Sequence, residues 1–289
     1  MSAERSILDA IPAAESLKFQ AGDITLHHVR TGSGPTLLLL HGLNMGWGQW
    51  FPNITTLARH FTVHAVDIPP AGNSSAMDIW RPDFPKRLIA AFGEFIDSIP
   101  GPVHMVGHSF GGWLALELAL QKPDRVGKII GLNPLGFHER TPMRYRLLGV
   151  RPIARFLAKT VMRMNHSNSR KFMQGVMRRK EKLPEEFVAY YSESLQQPGA
   201  IHPFLLINRF SGVLAMRPEF VFSSRLKDLQ VPFLALLGAN DPLMPFGAKE
   251  HALLGLIPGV TKEVLHATGH VPSIEDPAAF VRSVVEFIQ

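Results

Sequence analysis

Cysteine is absent from the 289-residue sequence, so disulfide bonds and thiolate metal sites are excluded. A long hydrophobic run is also missing, because the longest, around "TLLLLHGL", falls far short of the roughly 20 residues that cross a bilayer. The N-terminal stretch "MSAERSILDAIPAAESLKF" has no apolar core of signal-peptide length. We therefore expect a soluble, cytoplasmic protein, with peripheral contact at a membrane left open.

Charge is scarce and unevenly placed. Only 19% of the residues are charged and 46% are hydrophobic, which is typical of a globular protein. The net charge is +6, yet the segment from His138 to Lys182 contains 13 lysines and arginines and only two acids, Glu139 and Glu181. The rest of the chain is therefore acidic on balance, and the basic segment is expected to have a local role.

Short apolar runs alternate with helical patterns along most of the chain. Runs such as "TLLLLHG", "VHMVGHS" and "FLALLGAND" predict strands that are buried on both faces, as in a parallel sheet covered by helices. "FPKRLIAAFGEFIDSI" has the 3.6-residue period of a helix, and "SLKFQAGDITLHHVRTG" predicts a hairpin at a sheet edge. This alternation predicts a doubly wound α/β fold.

The strand pattern stops between Gly136 and about Phe222, where the sequence reads as helices broken by proline and glycine. It resumes at Val231. We predict a core made of residues 1–135 and 223–289 and a helical cap made of residues 136–222. The cap is expected over the carboxyl edge of the sheet, where open α/β folds bind their ligands.

The segment from Gly107 to Gly111, "GHSFG", matches the G-x-S-x-G pattern, with Ser109 at its centre. It lies between a predicted strand, "VHMV", and a predicted helix, "GGWLALELAL". A serine at such a tight turn has a strained backbone that raises its hydroxyl above the sheet, and glycines on both sides prevent Cβ collisions. We therefore predict that Ser109 is a catalytic nucleophile.

A serine nucleophile needs a base, and the base needs an acid to orient it. His270 follows the last predicted strand and is the predicted base, whereas His266 is interpreted as a packed residue of that strand. Asp241, after "FLALLGAN", is the predicted acid. Asn133, at the end of the preceding strand, cannot stabilise an imidazolium as a carboxylate does. The order Ser109, Asp241, His270 is the order of α/β-hydrolases.

Two backbone N–H groups are predicted to bind the oxyanion, those of Leu43 and Phe110. Leu43 follows the first predicted parallel strand, and Phe110 begins the helix after the nucleophile. His41 is expected to hold this loop together rather than to transfer protons. The chemistry requires no metal and no organic cofactor, so none is expected.

Five segments together resemble the α/β-hydrolase superfamily, specifically serine hydrolases with a helical lid that are esterase- or lipase-like. The segments are "HGLNMGWGQW", "VDIPPAGNSS", "VGHSFGG", "LLGANDPLMP" and "TGHVPSIEDP". The resemblance covers roughly residues 20–135 and 223–289 and implies an eight-stranded, mostly parallel sheet, with the lid between strands six and seven. It also implies a catalytic triad of Ser109, Asp241 and His270. "DIPPAGNS" departs from the family's glycine-rich form of that loop.

The leading interpretation is a carboxylic ester hydrolase that acts through an acyl-enzyme on apolar, medium or long acyl chains. Dehalogenases and epoxide hydrolases of this fold use an aspartate nucleophile, so Ser109 argues against both. Carbon–carbon bond hydrolases of dienoic keto-acids use serine but often carry tryptophan directly after the histidine, where this chain has Val271. That alternative stays open, as does a non-catalytic ligand receptor.

The predicted cap contains a basic helix pattern. The stretch "GVRPIARFLAKTVMRMNHS" predicts a helix with two faces. The apolar face is formed by Ile153, Leu157, Val161 and Met164. The basic face is formed by Arg151, Arg155, Lys159 and Arg163. Like charges four residues apart destabilise a helix by roughly 0.2–0.5 kcal/mol per pair. Neighbouring acids, a fatty-acid or phosphate-bearing ligand, or an anionic membrane surface would offset this repulsion. No nucleic-acid partner is expected, because stacking aromatics are not interleaved with the cations.

Two interpretations of the methionines and phenylalanines in the cap stay open. Methionine adapts to varied apolar shapes, which favours a broad acyl pocket, but methionines at helical spacing are more often part of a core. The candidates are Met143, Met162, Met164, Met173, Met177, Phe156, Phe172 and Phe187.

Overall fold

The computed structural model of the protein describes residues 2–160 and 163–289. Within them, one sheet contains the strands β1 (Glu15–Ala21), β2 (Ile24–Thr31), β3 (Thr36–Leu40), β4 (Thr62–Val66), β5 (Val103–His108), β6 (Val126–Leu132), β7 (Phe233–Gly238) and β8 (Thr261–Leu265). Their order in space is β1-β2-β4-β3-β5-β6-β7-β8, and β2 pairs antiparallel with both β1 and β4. All other pairs are parallel, so the predicted eight-stranded, mostly parallel sheet is confirmed.

Helices follow most of the parallel strands. The described helices are α1 (Ala3–Asp9), α2 (Phe51–Leu57), α3 (Phe84–Asp97), α4 (Phe110–Gln121), α5 (Arg151–Thr160), α6 (His166–Val176), α7 (Glu185–Ser194), α8 (Pro203–Phe210), α9 (Ala248–Leu254), α10 (Pro272–Glu275) and α11 (Pro277–Ile288). Short 3-10 helices also occur, among them Met143–Gly149 and Lys180–Lys182. In the described ranges, no helix has the length and apolarity that a bilayer crossing requires.

The sheet separates two hydrophobic cores. Leu38 and Leu40 of β3 pack into one core, and Leu37 and Leu39 pack into the other, as the alternation of side chains along a strand requires. All four leucines are fully buried, and each such burial contributes about 1.5–3 kcal/mol to folding. The carboxyl ends of the central strands are therefore held firmly from both sides.

The segment between β6 and β7 contains α5–α8 and the 3-10 helix Met143–Gly149. The limits of the cap, residues 136–222, stay a prediction. On α5 the predicted basic residues Arg151, Arg155 and Lys159 are exposed. The buried contacts of α5 are made by Ala154 and Ala158 instead of the predicted apolar face.

The remaining residues of that predicted face are placed differently. Ile153 and Leu157 are only half-buried, because the helix lies closest to its neighbours along the small side chains of its alanines. Met164 is also half-buried. Val161 and Met162 lie outside the described residues.

Two histidines of the sheet are buried against α3. The rings of His28 in β2 and His64 in β4 stack at 5.1 Å, and both contact the ring of Phe95. Burial lowers the pKa of His28 to about 3 and that of His64 to about 4. The folded protein therefore keeps both rings neutral at a pH where an unfolded chain binds protons.

This difference makes the free energy of unfolding fall as the pH falls below the ordinary histidine pKa. Between about pH 8 and about pH 5, we expect the His28→Leu variant to lose about 2 kcal/mol less of this free energy than the parent protein. Urea unfolding at both pH values measures this, and the comparison cancels the pH-independent cost of the substitution. Equal losses in parent and variant would contradict the assignment.

Candidate active site

Ser109 occupies the turn between β5 and α4, with φ +50° and ψ −112°. A positive φ is uncommon outside glycine and is strained, as the sequence pattern predicts. The flanking glycines have no room for a side chain, since a Cβ at Gly107 would lie 2.3 Å from Gly111 O and one at Gly111 would lie 2.1 Å from Leu40 O. The turn thus requires the residue types that the motif supplies.

His270 and Asp241 form a buried pair behind this turn. His270 Nδ1 and Asp241 Oδ2 are 2.6 Å apart, and both side chains are at most 2% exposed. We assign the proton to Nδ1, because its partner is a carboxylate that accepts; Nε2 is then left as the basic nitrogen. Asp241 Oδ1 accepts hydrogen bonds from the Leu243 and Met244 amides.

The Asp241 carboxyl is stabilised in its charged form. Burial by itself would raise its pKa, but the His270 ring and the amides of Met244 and Leu243 outweigh burial, so the pKa lies below its ordinary value. A carboxylate at this position orients the imidazole and stabilises the imidazolium that forms when His270 accepts a proton.

Ser109 and His270 line the same pocket. The other lining residues are mainly apolar: Leu43, Met45, Leu135, Thr141, Pro142, Tyr145, Phe172, Val176, Ile207, Phe210, Ser211, Met216, Leu243 and Met244. In the described chain the Ser109 hydroxyl and the His270 ring make no direct hydrogen bond. The lack of this bond agrees with a catalytic role, because catalytic hydrogen bonds often form fully only when substrate binds. The structure therefore brings the three predicted residues to one site.

Asn133, which lacks the carboxylate that the acid of the site requires, holds the histidine loop. Its Nδ2 donates to Gly269 O at 3.0 Å and to His270 O at 3.1 Å, and its Oδ1 accepts from Gly238 N at 2.9 Å. It ties the end of β6 to the loop of the base and to the end of β7. Its position directly after an apolar strand was the only signal in the sequence.

Glu275 supports the same loop from the other side, a role that sequence reasoning missed. Its buried carboxylate accepts hydrogen bonds from the amides of Gly269 and Val271, which flank His270 in the chain. It also accepts from the amides of Arg178 and Arg179, at 2.7 and 2.8 Å. In addition, the amide of His270 donates to Val176 O at the end of α6. The backbone around the base is thus bonded to the segment between β6 and β7.

The predicted oxyanion donors lie on two supported segments. Phe110 is the first residue of α4, where an amide N–H has no acceptor within the helix. Leu43 follows Gly42, whose amide donates to Gln49 Oε1 at 2.9 Å. His41 Nε2 accepts from Ile68 N at 2.8 Å, as expected for a residue that holds the loop.

Two other histidines of the site region are structural. Burial lowers the pKa of His41, and its Nδ1 is 2.6 Å from Gly42 O, so we assign a neutral ring that donates through Nδ1. His108 is buried and bonds through Nε2 to His270 O at 2.7 Å. The interpretation of His266 as a packed residue is wrong: it lies just past β8 and is exposed, because the strand ends one residue earlier.

Few of the cap methionines and phenylalanines that were weighed between pocket and core line the pocket. Of that set, only Phe172 lines the pocket in the described chain. The methionines that do line the pocket are Met45, Met216 and Met244. Met173, Met177 and Phe187 are buried in the second hydrophobic core, Met143 and Phe156 are exposed, Met164 is half-buried, and Met162 lies outside the described residues. Packing between helices uses most of the apolar side chains of the cap, so the pocket is formed by side chains from distant parts of the sequence.

One group of side chains in the described ranges has the spacing of a metal site: Glu4, His27 and Asp67. Its atoms already have protein partners. His27 Nδ1 is 2.6 Å from Asp67 Oδ2, and Asp67 Oδ1 accepts from Trp47 N at 2.8 Å. Glu4 Oε1 accepts from the Trp47 indole. The group acts as a buried hydrogen-bond network that joins β2, β4 and the N-terminus.

Comparison with known proteins agrees with this architecture. The sequence profile of the alpha/beta hydrolase family matches residues 37–283. A pimeloyl-[acyl-carrier protein] methyl ester esterase of Pectobacterium carotovorum is 28% identical and covers 92% of this chain and 99% of its own length. An (E)-2-((N-methylformamido)methylene)succinate hydrolase of Acinetobacter baylyi is 27% identical over 75% of this chain and 77% of its own length.

Solved structures share the fold. Carboxylesterase CesB of Bacillus subtilis superposes with a TM-score of 0.77 at 22% identity, covering 99% of this chain and 95% of its own. A membrane phospholipase A, described as a bacterial virulence factor, has a TM-score of 0.79 at 19% identity and covers 99% of this chain and 89% of its own.

The geometry predicts that a fluorophosphonate probe labels one residue, Ser109. We expect Ser109→Ala to fold normally and to lose labelling completely, and Asp241→Asn to slow labelling on the order of 10³–10⁴-fold, because the imidazole then loses its orienting carboxylate. The readout is the rate of label incorporation, with circular dichroism confirming the fold.

Ser211→Ala is the matched control, because Ser211 also lines the pocket but its hydroxyl donates to Ile207 O. This variant should be labelled at the rate of the parent protein. Labelling that persists in Ser109→Ala would show that another residue is the nucleophile.

Proposed function

The chain belongs to the alpha/beta hydrolase family, and we propose that it hydrolyses carboxylic esters with apolar, medium or long acyl chains. The observation that carries the proposal is the pocket in which a strained serine and an aspartate-paired histidine meet an apolar lining. Relatives that are named as methyl ester esterases over almost the whole chain support the same reaction.

The proposed reaction has two halves. Ser109 Oγ attacks the ester carbonyl carbon while His270 Nε2 takes its proton, and Asp241 stabilises the imidazolium. The amides of Leu43 and Phe110 bind the oxyanion, and one such donor typically contributes about 3–4 kcal/mol. The C–O bond then breaks, His270 protonates the departing alcohol, and water repeats the sequence to release the acid.

The lining of the pocket favours an apolar acyl group. Apart from Ser109 and His270, its polar side chains are Thr141, Tyr145 and Ser211. Each methylene that moves from water into such a lining contributes about 0.8 kcal/mol. A chain of several carbons would therefore bind substantially better than acetate.

The same lining argues against a dienoic keto-acid substrate. Among the described residues that form the pocket, no lysine or arginine is present to pair with a free carboxylate. An unpaired carboxylate is costly to bury, whereas an ester carries no charge. We therefore place the carbon–carbon hydrolase reading second.

A panel of p-nitrophenyl esters from acetate to palmitate tests the proposal, with a dienoic keto-acid as the contrast. We expect kcat/KM to rise about fourfold for each added methylene over the first several carbons, as the transfer free energy requires. Turnover of the keto-acid above that of every ester would overturn the proposal. Fluorophosphonate-reactive protein that turns over no ester would do so as well.

Narrowing the pocket should change chain-length preference. Ile207 of α8 lines the pocket, so Ile207→Trp should lower kcat/KM for octanoate esters more than about tenfold while acetate esters change less than about threefold. Leu205→Trp is the control, because Leu205 lies on the same helix and does not line the pocket. Equal effects on long and short esters in Ile207→Trp would place the acyl group elsewhere.

A further inference from the structure

In the described ranges, five large apolar side chains between β6 and β7 are exposed to solvent: Phe156 of α5 and the four that follow. Met143 is 80% exposed, Leu147 67%, Leu214 66% and Val213 45%. We call these four side chains the apolar rim. Single exposed apolar residues are ordinary, but a contiguous group of them marks an interaction surface.

The apolar rim is carried by two segments, residues 141–149 and residues 211–216, which are hydrogen-bonded to each other. Thr141 N donates to Leu214 O at 3.0 Å, and its hydroxyl donates to Gly212 O at 2.9 Å. A Cβ at Gly149 would lie 2.4 Å from Gly212 O, so the 3-10 helix Met143–Gly149 touches the second segment at its other end as well. The two segments that carry the four side chains are therefore neighbours.

These segments also form the wall of the active-site pocket. On the first segment, Pro142 and Tyr145 line the pocket and flank the exposed Met143. On the second segment, the lining residues Ser211 and Met216 flank the other two exposed positions. The apolar rim therefore borders the pocket instead of lying on a remote surface.

A basic face lies beside the apolar rim. Helix α5 packs against the 3-10 helix of the rim and exposes Arg151, Arg155 and Lys159. The sequence contains no acid between Glu139 and Glu181. In the described ranges none of the three cations has a carboxylate oxygen within 4.0 Å, so no salt bridge among those residues offsets their repulsion.

We propose that the apolar rim and the basic face of α5 dock on the surface of an anionic phospholipid bilayer. The rim enters the boundary between headgroups and acyl chains, and the cations contact lipid phosphates. Docking in this orientation turns the pocket towards the lipid. If the proposed function holds, the ester is then delivered from the membrane, but docking itself does not depend on that function.

The combination of the two features selects a membrane over an acidic protein. An acidic partner would complement Arg151, Arg155 and Lys159, but it would leave the strongly exposed Met143 and Leu147 without a role. Amphipathic surfaces with cations beside apolar side chains are typical of peripheral membrane binding, because both terms contribute together.

Sedimentation with sucrose-loaded vesicles tests docking, using the Ser109→Ala protein so that no lipid is hydrolysed. We expect binding to vesicles of phosphatidylcholine with phosphatidylglycerol, little binding to phosphatidylcholine alone, and weakening by salt. Arg155→Gln with Lys159→Gln should weaken binding more than about tenfold, since each cation near such a surface contributes about fivefold. Arg151 is left unchanged because its guanidinium lies 3.9 Å from the centre of the Trp80 ring.

The combined variant Met143→Ser, Leu147→Ser and Leu214→Ser tests the apolar rim, and it should also weaken vesicle binding more than about tenfold. Lys18→Gln with Lys86→Gln is the matched control: it removes the same charge from exposed positions on β1 and α3 and should bind like the parent. When each of these variants is made in the protein that keeps Ser109, it should hydrolyse a soluble acetate ester at the parent rate. This control separates loss of docking from loss of fold or of function.

Absence of binding to anionic vesicles would overturn the proposal. So would vesicle binding that is unaffected by the apolar-rim substitutions. If an acidic acyl carrier protein binds through Arg155 and Lys159 and the vesicles do not bind, the face is a protein-docking site and the membrane assignment is wrong.

Discussion

The strained backbone of Ser109 sets the conditions that the rest of the site has to meet. Its φ of +50° costs free energy, which the surrounding turn and the two packed cores have to offset. The turn closes only because Gly107 and Gly111 carry no side chain where backbone atoms pass within contact distance. The result is a hydroxyl fixed at the carboxyl edge of the sheet, next to the first amide of α4.

The histidine loop is positioned by a different principle, hydrogen bonding from several elements. Asn133 holds the carbonyl groups of the loop, Glu275 holds its amides, and Val176 accepts from the amide of His270 itself. These bonds lie in a region from which water is excluded, where an unmade bond is costly. The backbone bonds thus fix the position of His270, and the hydrogen bond to Asp241 fixes the orientation of its ring.

The fold and the three candidate catalytic residues could be predicted because their signals are local in the sequence. Apolar runs, a five-residue motif and a polar residue after a strand each lie within a short window. Asn133 could not be assigned, because its partners are backbone groups far away in the chain. Glu275 could not be assigned either, because its partners are backbone amides, both nearby and about a hundred residues away, and no sequence pattern marks a carboxylate that accepts from amides. The methionines that line the pocket could not be identified from the sequence for a similar reason. Met45, Met216 and Met244 come from three distant segments, and helix periodicity does not tell which apolar side chains face a cavity.

The bonds from the backbone of residues 176–179 to the histidine loop also have a consequence for protein engineering. A chimera that exchanges the whole helical insertion for that of another hydrolase would remove two of the partners of Glu275 and the acceptor of the His270 amide. A graft that keeps residues 176–179 and replaces only the preceding helices would leave those contacts in place. The useful boundary for recombination therefore lies inside the insertion rather than at its ends.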